Sequence, residues 1–149
     1  MLDPISGGPM IDNAMETSTP GIFAGGNVLH VNDLVDNVTL EGEKAGASAA
    51  AFISGALKHG KLRVKLTAKG NIRYVIPQII NVGDAFTLSL RAKEPGENVR
   101  LKIGDNYHKN LRVVKPSQMI QVEITADDWR NFNGDLSEMP VTLESRSSR

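Results

Sequence analysis

The sequence predicts a mixed fold in which a short strand and a helix precede an all-β domain of two packed antiparallel sheets or a small barrel. Residues 1–60 are rich in glycine and small side chains, and they combine a short apolar run with a long helical stretch. After residue 60, apolar and polar residues alternate in short runs between turn residues, which is the pattern of half-buried strands. We therefore expect two domains, residues 1–60 and residues 61–149.

Six or seven short strands are expected in the second domain. The alternating runs cover residues 62–66, 86–90, 99–103, 111–113, 120–124 and 141–143, with a further strand at 72–76 that Pro77 ends. The basic side chains of these strands, including Arg91, are expected on their solvated face. Residues 126–132 predict one helical turn that Thr125 caps. Trp129 is expected to close one end of the core rather than to bind a ligand.

Composition narrows the function classes before any motif is considered. The 149 residues carry 17 Lys and Arg against 17 Asp and Glu, and this zero net charge argues against a nucleic-acid-binding protein. No apolar run approaches the ~20 residues of a membrane span, and no secretory signal is recognisable. The absence of cysteine excludes disulfides, thiolate metal sites and iron–sulfur clusters within the chain. We expect a cytoplasmic protein.

The first domain carries the pattern that suggests chemistry. Ile22, Phe23 and Ala24 form a continuous apolar run, which is expected of a parallel strand covered on both faces. Gly25 and Gly26 then predict a bend whose backbone can approach a phosphate or ribityl chain, since no Cβ stands in the way. A helix is expected to begin within residues 33–37 and to reach residue 57.

The segment from Thr17 to Ala51 resembles the second FAD motif of the pyridine nucleotide–disulfide oxidoreductase superfamily. That motif has a Thr, a few residues, two apolar positions, Ala, any residue, Gly and Asp, and it is matched here at Thr17, Ile22, Phe23, Ala24 and Gly26. Asn27 stands at the position of the Asp. The chain also resembles one branch of this superfamily more narrowly. That branch contains FAD/NAD(P)-dependent oxidoreductases grouped with the alpha subunits of bacterial sarcosine and opine oxidases. The residues that carry this resemblance are 2–4, 7–9, 15–18 and 25–36. Flavoproteins of anaerobic glycerol-3-phosphate dehydrogenase operons belong to the same branch, where Asn is common at this position. Residues 70–77 also resemble its C-terminal extension.

The resemblance implies the C-terminal fragment of an FAD-dependent oxidoreductase that acts on an amine, a 2-hydroxy acid or a glycerol phosphate. The fragment would contribute one wall of the flavin site, and the hydride chemistry would belong to the flavin. The residues implied in FAD binding are Gly25, Gly26, Asn27, Val28, Asp36, Asn37 and Val38, whereas no catalytic residue and no metal ligand are implied. The chain has no GxGxxG turn for the FAD pyrophosphate, so we expect it to bind FAD weakly or not at all alone and to be inert.

Individual residues leave alternatives open. His30 either lies close to the flavin, where it would suit proton transfer, or is a loop histidine bonded to backbone, which we favour. Asp33 and Asp36 form an acidic pair or, more simply, stabilise the helix N-terminus. His59 and His108 are expected to lack a metal-ligand partner. Three further residues are expected on a solvated helix face, namely Glu41, Glu43 and Lys44.

Two other functions remain open from the sequence. The β domain could be a docking module for a partner subunit or a neighbouring domain. The expected partners of the chain are the rest of the flavoprotein or partner subunits, and a homodimer could form through residues 2–57, which would bury their apolar strand. The chain could also be a free-standing β-sandwich binding protein whose resemblance to flavoenzymes is accidental. A nucleotide-binding domain encoded upstream would eliminate that last alternative.

Overall fold

The computed structural model describes residues 1–59, 62–105, 107–131 and 137–145, which form one α-helix and eight β-strands. The helix α1 spans Val35–Ile53 and precedes every strand. Short 3₁₀ turns occupy Gly26–Val28 and Ala126–Asn131. The strands are β1 Arg63–Ala68, β2 Ile72–Ile76, β3 Ile79–Asn81, β4 Phe86–Ala92, β5 Gly96–Ile103, β6 Tyr107–Val114, β7 Ile120–Ile124 and β8 Glu138–Ser145. No helix within the described ranges has both the length and the apolar character needed to cross a membrane.

The strands form two sheets, one of five strands in the order β3-β1-β8-β5-β6 and one of three in the order β2-β4-β7. Neighbouring strands are antiparallel, as predicted, except for β1 and β8, which are parallel. The exception arises because β8 inserts between β1 and β5. It runs antiparallel to β5 and therefore parallel to β1, with Leu66 opposite Met139.

The two sheets share one apolar core. Leu88 and Leu90 of β4 are completely buried, as are Val64, Leu101 and Val141 of the five-stranded sheet. This arrangement confirms a mixed fold made mostly of β-strands in two sheets.

Trp129 belongs to this core. Its ring packs against Phe86 with the ring centroids 6.0 Å apart. Its indole N–H donates a hydrogen bond to the Asp84 carbonyl at 2.8 Å, which satisfies the polar edge of a buried aromatic residue.

Two details of the strands differ from the sequence prediction. The three-residue strand β3 was not predicted, because it is too short to show an alternation. In β6 the inward position was placed at Val113, whereas Val113 is exposed and Val114 is buried. The alternation slips there opposite Asn98, whose φ of 49° is left-handed and disturbs the ladder between β5 and β6.

The predicted parallel strand at Ile22–Ala24 does not belong to either sheet. A single bridge joins Phe23 to Glu16, and Ile22 is 55% exposed. The described part of the chain supplies no neighbouring parallel strands, so the run has nothing to cover its faces. The structure does not show the α/β arrangement expected for residues 1–60, since the described residues there contain α1, a 3₁₀ turn and isolated antiparallel bridges.

The N-terminal segment nevertheless packs against the β-sheets. Ile11, Met15 and Leu29 form a second buried cluster with Tyr74 and Ile76 of β2. The Ile11 carbonyl accepts hydrogen bonds from the backbone N–H groups of residues 78 and 79, at 3.2 Å each. These contacts cross the boundary predicted at residue 60, and the two-domain division itself stays a prediction.

Candidate functional site

The two glycines of the predicted flavin bend lie directly against helix α1. A Cβ at Gly25 would be 2.6 Å from the Glu41 carbonyl oxygen, so that position tolerates no side chain. Gly26 has a φ of +78°, and a Cβ there would be 2.9 Å from Cγ1 of Val38. The glycines therefore allow a close approach between the bend and the helix.

The residues that follow the glycines face outward. Asn27 and Val28 are exposed. The Asn27 side-chain oxygen accepts a hydrogen bond from the Asn32 N–H at 3.1 Å, and among the described residues its amide NH₂ group has no partner. Asn27 therefore shapes the loop with its side-chain oxygen and leaves its two amide N–H donors on an exposed side chain.

Helix α1 begins without a side-chain cap. The N-cap residue Leu34 has an extended backbone and makes no capping hydrogen bond through its side chain. Asp36 lies exposed in the first turn, and Asn37 and Val38 are half-buried. An uncapped N-terminus leaves N–H groups and a partial positive charge available to an acceptor.

The structure brings the predicted cofactor residues together only in part. Gly26 contacts Val38, which joins the bend to the first turns of α1. The other exposed members, Asn27, Val28 and Asp36, lie on the surface on either side of that contact. Beside the bend is an open cavity of about 510 Å³ whose walls include Thr17, Ile22, Phe23, Gly25 and Val28.

A buried hydrogen-bond network supports the bend from behind. Glu41 Oε2 accepts the Gly26 N–H at 2.7 Å, and Glu41 Oε1 lies 2.9 Å from His30 Nε2. His30 Nδ1 lies 3.4 Å from the Tyr74 hydroxyl of β2. The network corrects two expectations: Glu41 is not on a solvated helix face, and His30 bonds to side chains rather than to backbone.

Arg91 extends this network into the β-sheet. Its Nε donates to the Tyr74 hydroxyl at 3.0 Å, and its Nη2 donates to the Val31 carbonyl at 2.9 Å and to the Asp33 carboxylate. The Met119 N–H donates to the same carboxylate at 2.6 Å. Arg91 was expected on a solvated face, but its side chain is only 11% exposed, because the loop of residues 30–33 covers this part of β4.

The protonation of these groups follows from their contacts. Burial alone would raise the pKa of Asp33, but hydrogen bonds from Met119 and Arg91 and the charge of Arg91 lower it overall. Burial would lower the pKa of Arg91, but its bonds to Asp33 and Tyr74 raise it overall. Burial raises the pKa of Tyr74, against the effect of Arg91. Asp33 and Arg91 are therefore an ion pair, and the Tyr74 phenol is neutral.

Asp33 and Asp36 do not form an acidic pair directed at a site. The Asp33 carboxylate accepts hydrogen bonds from Arg91 and from the Met119 N–H. Asp36 is an exposed carboxylate in the first turn of α1, which agrees with the simpler of the two expectations. The local sequence gives no signal of the contact between Asp33 and Arg91, which are 58 residues apart.

A second cluster of polar groups was missed in the sequence. Asp12 and Glu16 are both buried, and His59 approaches each of them. One potential ligand atom from each of the three residues lies within 4.8 Å of the others. The expectation that His59 lacks a metal-ligand partner is therefore wrong, whereas His108 lies on the exposed side of β6, as expected.

Comparison of the chain with protein-family models, with curated proteins and with solved structures gave no match.

Proposed function

We propose that this chain is the C-terminal part of an FAD-dependent oxidoreductase and that residues 25–38 form one wall of its flavin site. The match at Thr17, Ile22–Ala24 and Gly26 to the second FAD motif supports this proposal. The substrate would be an amine, a 2-hydroxy acid or a glycerol phosphate. Since the sequence contains no GxGxxG turn, the remaining walls of the site belong to another part of the parent protein, and this chain alone is inert.

The observation that carries the proposal is the uneven distribution of exposed apolar side chains. Among the described residues, the exposed large apolar side chains after residue 57 are Leu62 and Val113. Those before it are Met1, Leu2, Ile5, Ile22, Val28, Val31, Leu34, Val35, Leu40, Phe52 and Ile53. Helix α1 has no buried residue along its whole length. A segment with this much uncovered apolar surface is expected of one side of an interface whose other side is missing.

The bend offers suitable chemistry for a flavin nucleotide, with one restriction. The Gly26 N–H is already bonded to Glu41, so it is not available to a phosphate. The contacts would come from the Asn27 amide, from the backbone at Val28 and from the uncapped N-terminus of α1 at Asp36. The Asn37 N–H already donates to the Leu34 carbonyl at 3.2 Å, so Asn37 would contribute only its side chain. An amide donates to a pyrophosphate or ribityl oxygen, whereas a carboxylate at this position would repel the phosphate.

The β-sheets would position this wall. Tyr74 of β2 and Arg91 of β4 hold the loop of residues 30–33, and through His30 and Glu41 the same network reaches Gly26. The alternative of a docking module in the β-sheets has weaker support, since the exposed apolar surface lies mainly on the N-terminal segment.

The test uses a polypeptide in which this chain is joined to the sequence encoded immediately upstream. We expect the joined protein to carry FAD. Asn27→Ala should weaken FAD binding about tenfold, as expected for the loss of one or two hydrogen bonds worth about 1–1.5 kcal/mol. The matched control is Asn110→Ala, on the exposed face of β6, which should leave FAD affinity unchanged. Affinity is measured by flavin fluorescence on titration of the apoprotein.

Equal FAD affinity in Asn27→Ala and in the control would remove the bend from the flavin site. An upstream sequence without a nucleotide-binding motif would contradict the proposal as a whole.

A further inference from the structure

We propose that Asp12, Glu16 and His59 form a binding site for a divalent transition-metal ion, Zn²⁺ being the best match. The site lies apart from the proposed flavin wall. It joins the N-terminal turn to the connection that leads from α1 into β1.

One potential ligand atom from each of the three side chains lies within 4.8 Å of the others. His59 Nε2 lies 3.3 Å from Glu16 Oε2, and His59 Nδ1 lies 3.9 Å from Asp12 Oδ2. Ligands about 2.1 Å from a tetrahedral Zn²⁺ are roughly 3.4 Å from one another. A small rotation of the imidazole would place one of its nitrogens and the two oxygens around a common centre.

Each carboxylate keeps one oxygen for its own loop and presents the other to the site. Asp12 Oδ1 accepts the N–H groups of Ala14 and Glu16, at 2.9 and 3.1 Å. Glu16 Oε1 accepts the Gly21 N–H at 2.8 Å. Asp12 Oδ2 and Glu16 Oε2 are thereby held in place by the backbone, so a metal would bind a largely preformed pair of ligands.

The charge balance favours a cation at this position. The Asp12 side chain is fully buried and that of Glu16 is 6% exposed, so two carboxylates lie in a region where an unneutralised charge is costly. Lys44 interacts electrostatically with Asp12, and Arg63 Nη2 lies 3.4 Å from Asp12 Oδ2. The Arg63 side chain is 48% exposed and can therefore swing into solvent when a metal takes its place.

The donor set selects the class of ion. One imidazole nitrogen and two carboxylate oxygens suit Zn²⁺ better than Ca²⁺ or Mg²⁺, which prefer oxygen ligands alone. The imidazole binds the ion through the lone pair of a ring nitrogen. Because His59 is 40% exposed, the ion can enter from solvent, and a water molecule can complete its coordination.

The test is calorimetric titration of the 149-residue chain, free of affinity tags, with zinc chloride. We expect one saturable site. His59→Ala should weaken binding by at least about tenfold, the lower limit for changes even to outer-shell groups, and His108→Ala is the matched control that should leave it unchanged. Arg63→Gln should strengthen Zn²⁺ binding, because it removes the cation that competes for Asp12. Circular dichroism and the melting temperature without metal establish that each variant is folded.

The readouts separate a metal site from a purely structural ion cluster. In a metal site, zinc raises the melting temperature of the wild type and of His108→Ala but not of His59→Ala, since binding to the native state stabilises it. The proposal is overturned if wild type shows no saturable binding, if His59→Ala binds as tightly as His108→Ala, or if Arg63→Gln binds more weakly than wild type. None of these outcomes depends on FAD, so the flavin proposal stands or fails separately.

Discussion

At the scale of single residues, three charged side chains determine how the loop of residues 30–33 lies on the sheet. They are the ion pair of Asp33 and Arg91 and the carboxylate of Glu41. The sequence predicted solvated positions for Arg91 and Glu41, because charged residues in an alternating strand or an amphipathic helix usually face water. For Asp33 it predicted a place at the N-terminus of α1. The Arg91 and Glu41 side chains are instead largely covered, and Arg91 pairs with Asp33, which lies 58 positions earlier in the chain. A local pattern contains no information on such contacts.

The Asp33 pair predicts a stability difference that depends on pH. The pKa of Asp33 in the folded protein is lowered, so its contribution is fully present above its unfolded pKa of about 3.9 and is lost as the pH falls through the lower folded value. Asp33→Asn should therefore destabilise the protein by about 1 kcal/mol at pH 7, and the difference from wild type should shrink below about pH 4. Urea unfolding of wild type and of Asp33→Asn at pH 7 and at pH 3 measures this difference in free energy.

The matched control for this prediction is Asp36→Asn. Asp36 lies exposed in the first turn of α1 and makes no side-chain ion pair among the described residues. Its replacement should change the free energy of unfolding by no more than about 0.5 kcal/mol at either pH. The prediction is contradicted if the free energies of unfolding of wild type and Asp33→Asn differ by the same amount at pH 7 and at pH 3. That result would show that the ion pair is not what stabilises the loop.

At the scale of elements, the sequence predicted the helix and the strands that have a clear local pattern of apolar residues. It was wrong where the formation of a strand depends on neighbouring strands. Helix α1 begins at Val35, within the predicted range, but ends at Ile53 rather than near residue 57, because Gly55 adopts a φ of +72° and terminates it. The run Ile22–Ala24 has the composition of a buried strand yet pairs only through Phe23. A strand needs neighbours, and the described chain provides none beside it.

The packing of the glycine bend on α1 predicts opposite effects for two glycines of the same region. Gly25→Ala should destabilise the protein by about 1–3 kcal/mol, because its Cβ would meet a helix carbonyl at 2.6 Å and force the bend or the helix to shift. Gly42→Ala, in the middle of α1, meets nothing within 4 Å and should stabilise the protein by about 0.5–1 kcal/mol. Thermal or urea unfolding of both variants checks the prediction, which fails if Gly25→Ala is as stable as wild type.

At the scale of the whole molecule, the two sheets close around their own core, while the N-terminal segment lies against strands of both sheets and leaves apolar side chains uncovered. The β-rich two-sheet fold followed from the alternation of residues after position 60, although the parallel pairing of β1 with β8 and the slip at Asn98 did not. Of the candidate flavin site, the motif identified the bend and the helix start. The network from Gly26 to Arg91 and the cluster around His59 depend on tertiary contacts, so they emerged only from the structure.

The most direct test of the central claim is the flavin content of two proteins, this chain alone and the same chain joined to the polypeptide encoded upstream. Both are purified, saturated with FAD, passed through a desalting column and measured by visible absorbance. The account predicts a colourless chain alone and a yellow joined protein with one FAD per polypeptide, since only the joined protein has every wall of the site. A chain that alone retains one FAD per polypeptide, or a joined protein that retains none, would contradict it.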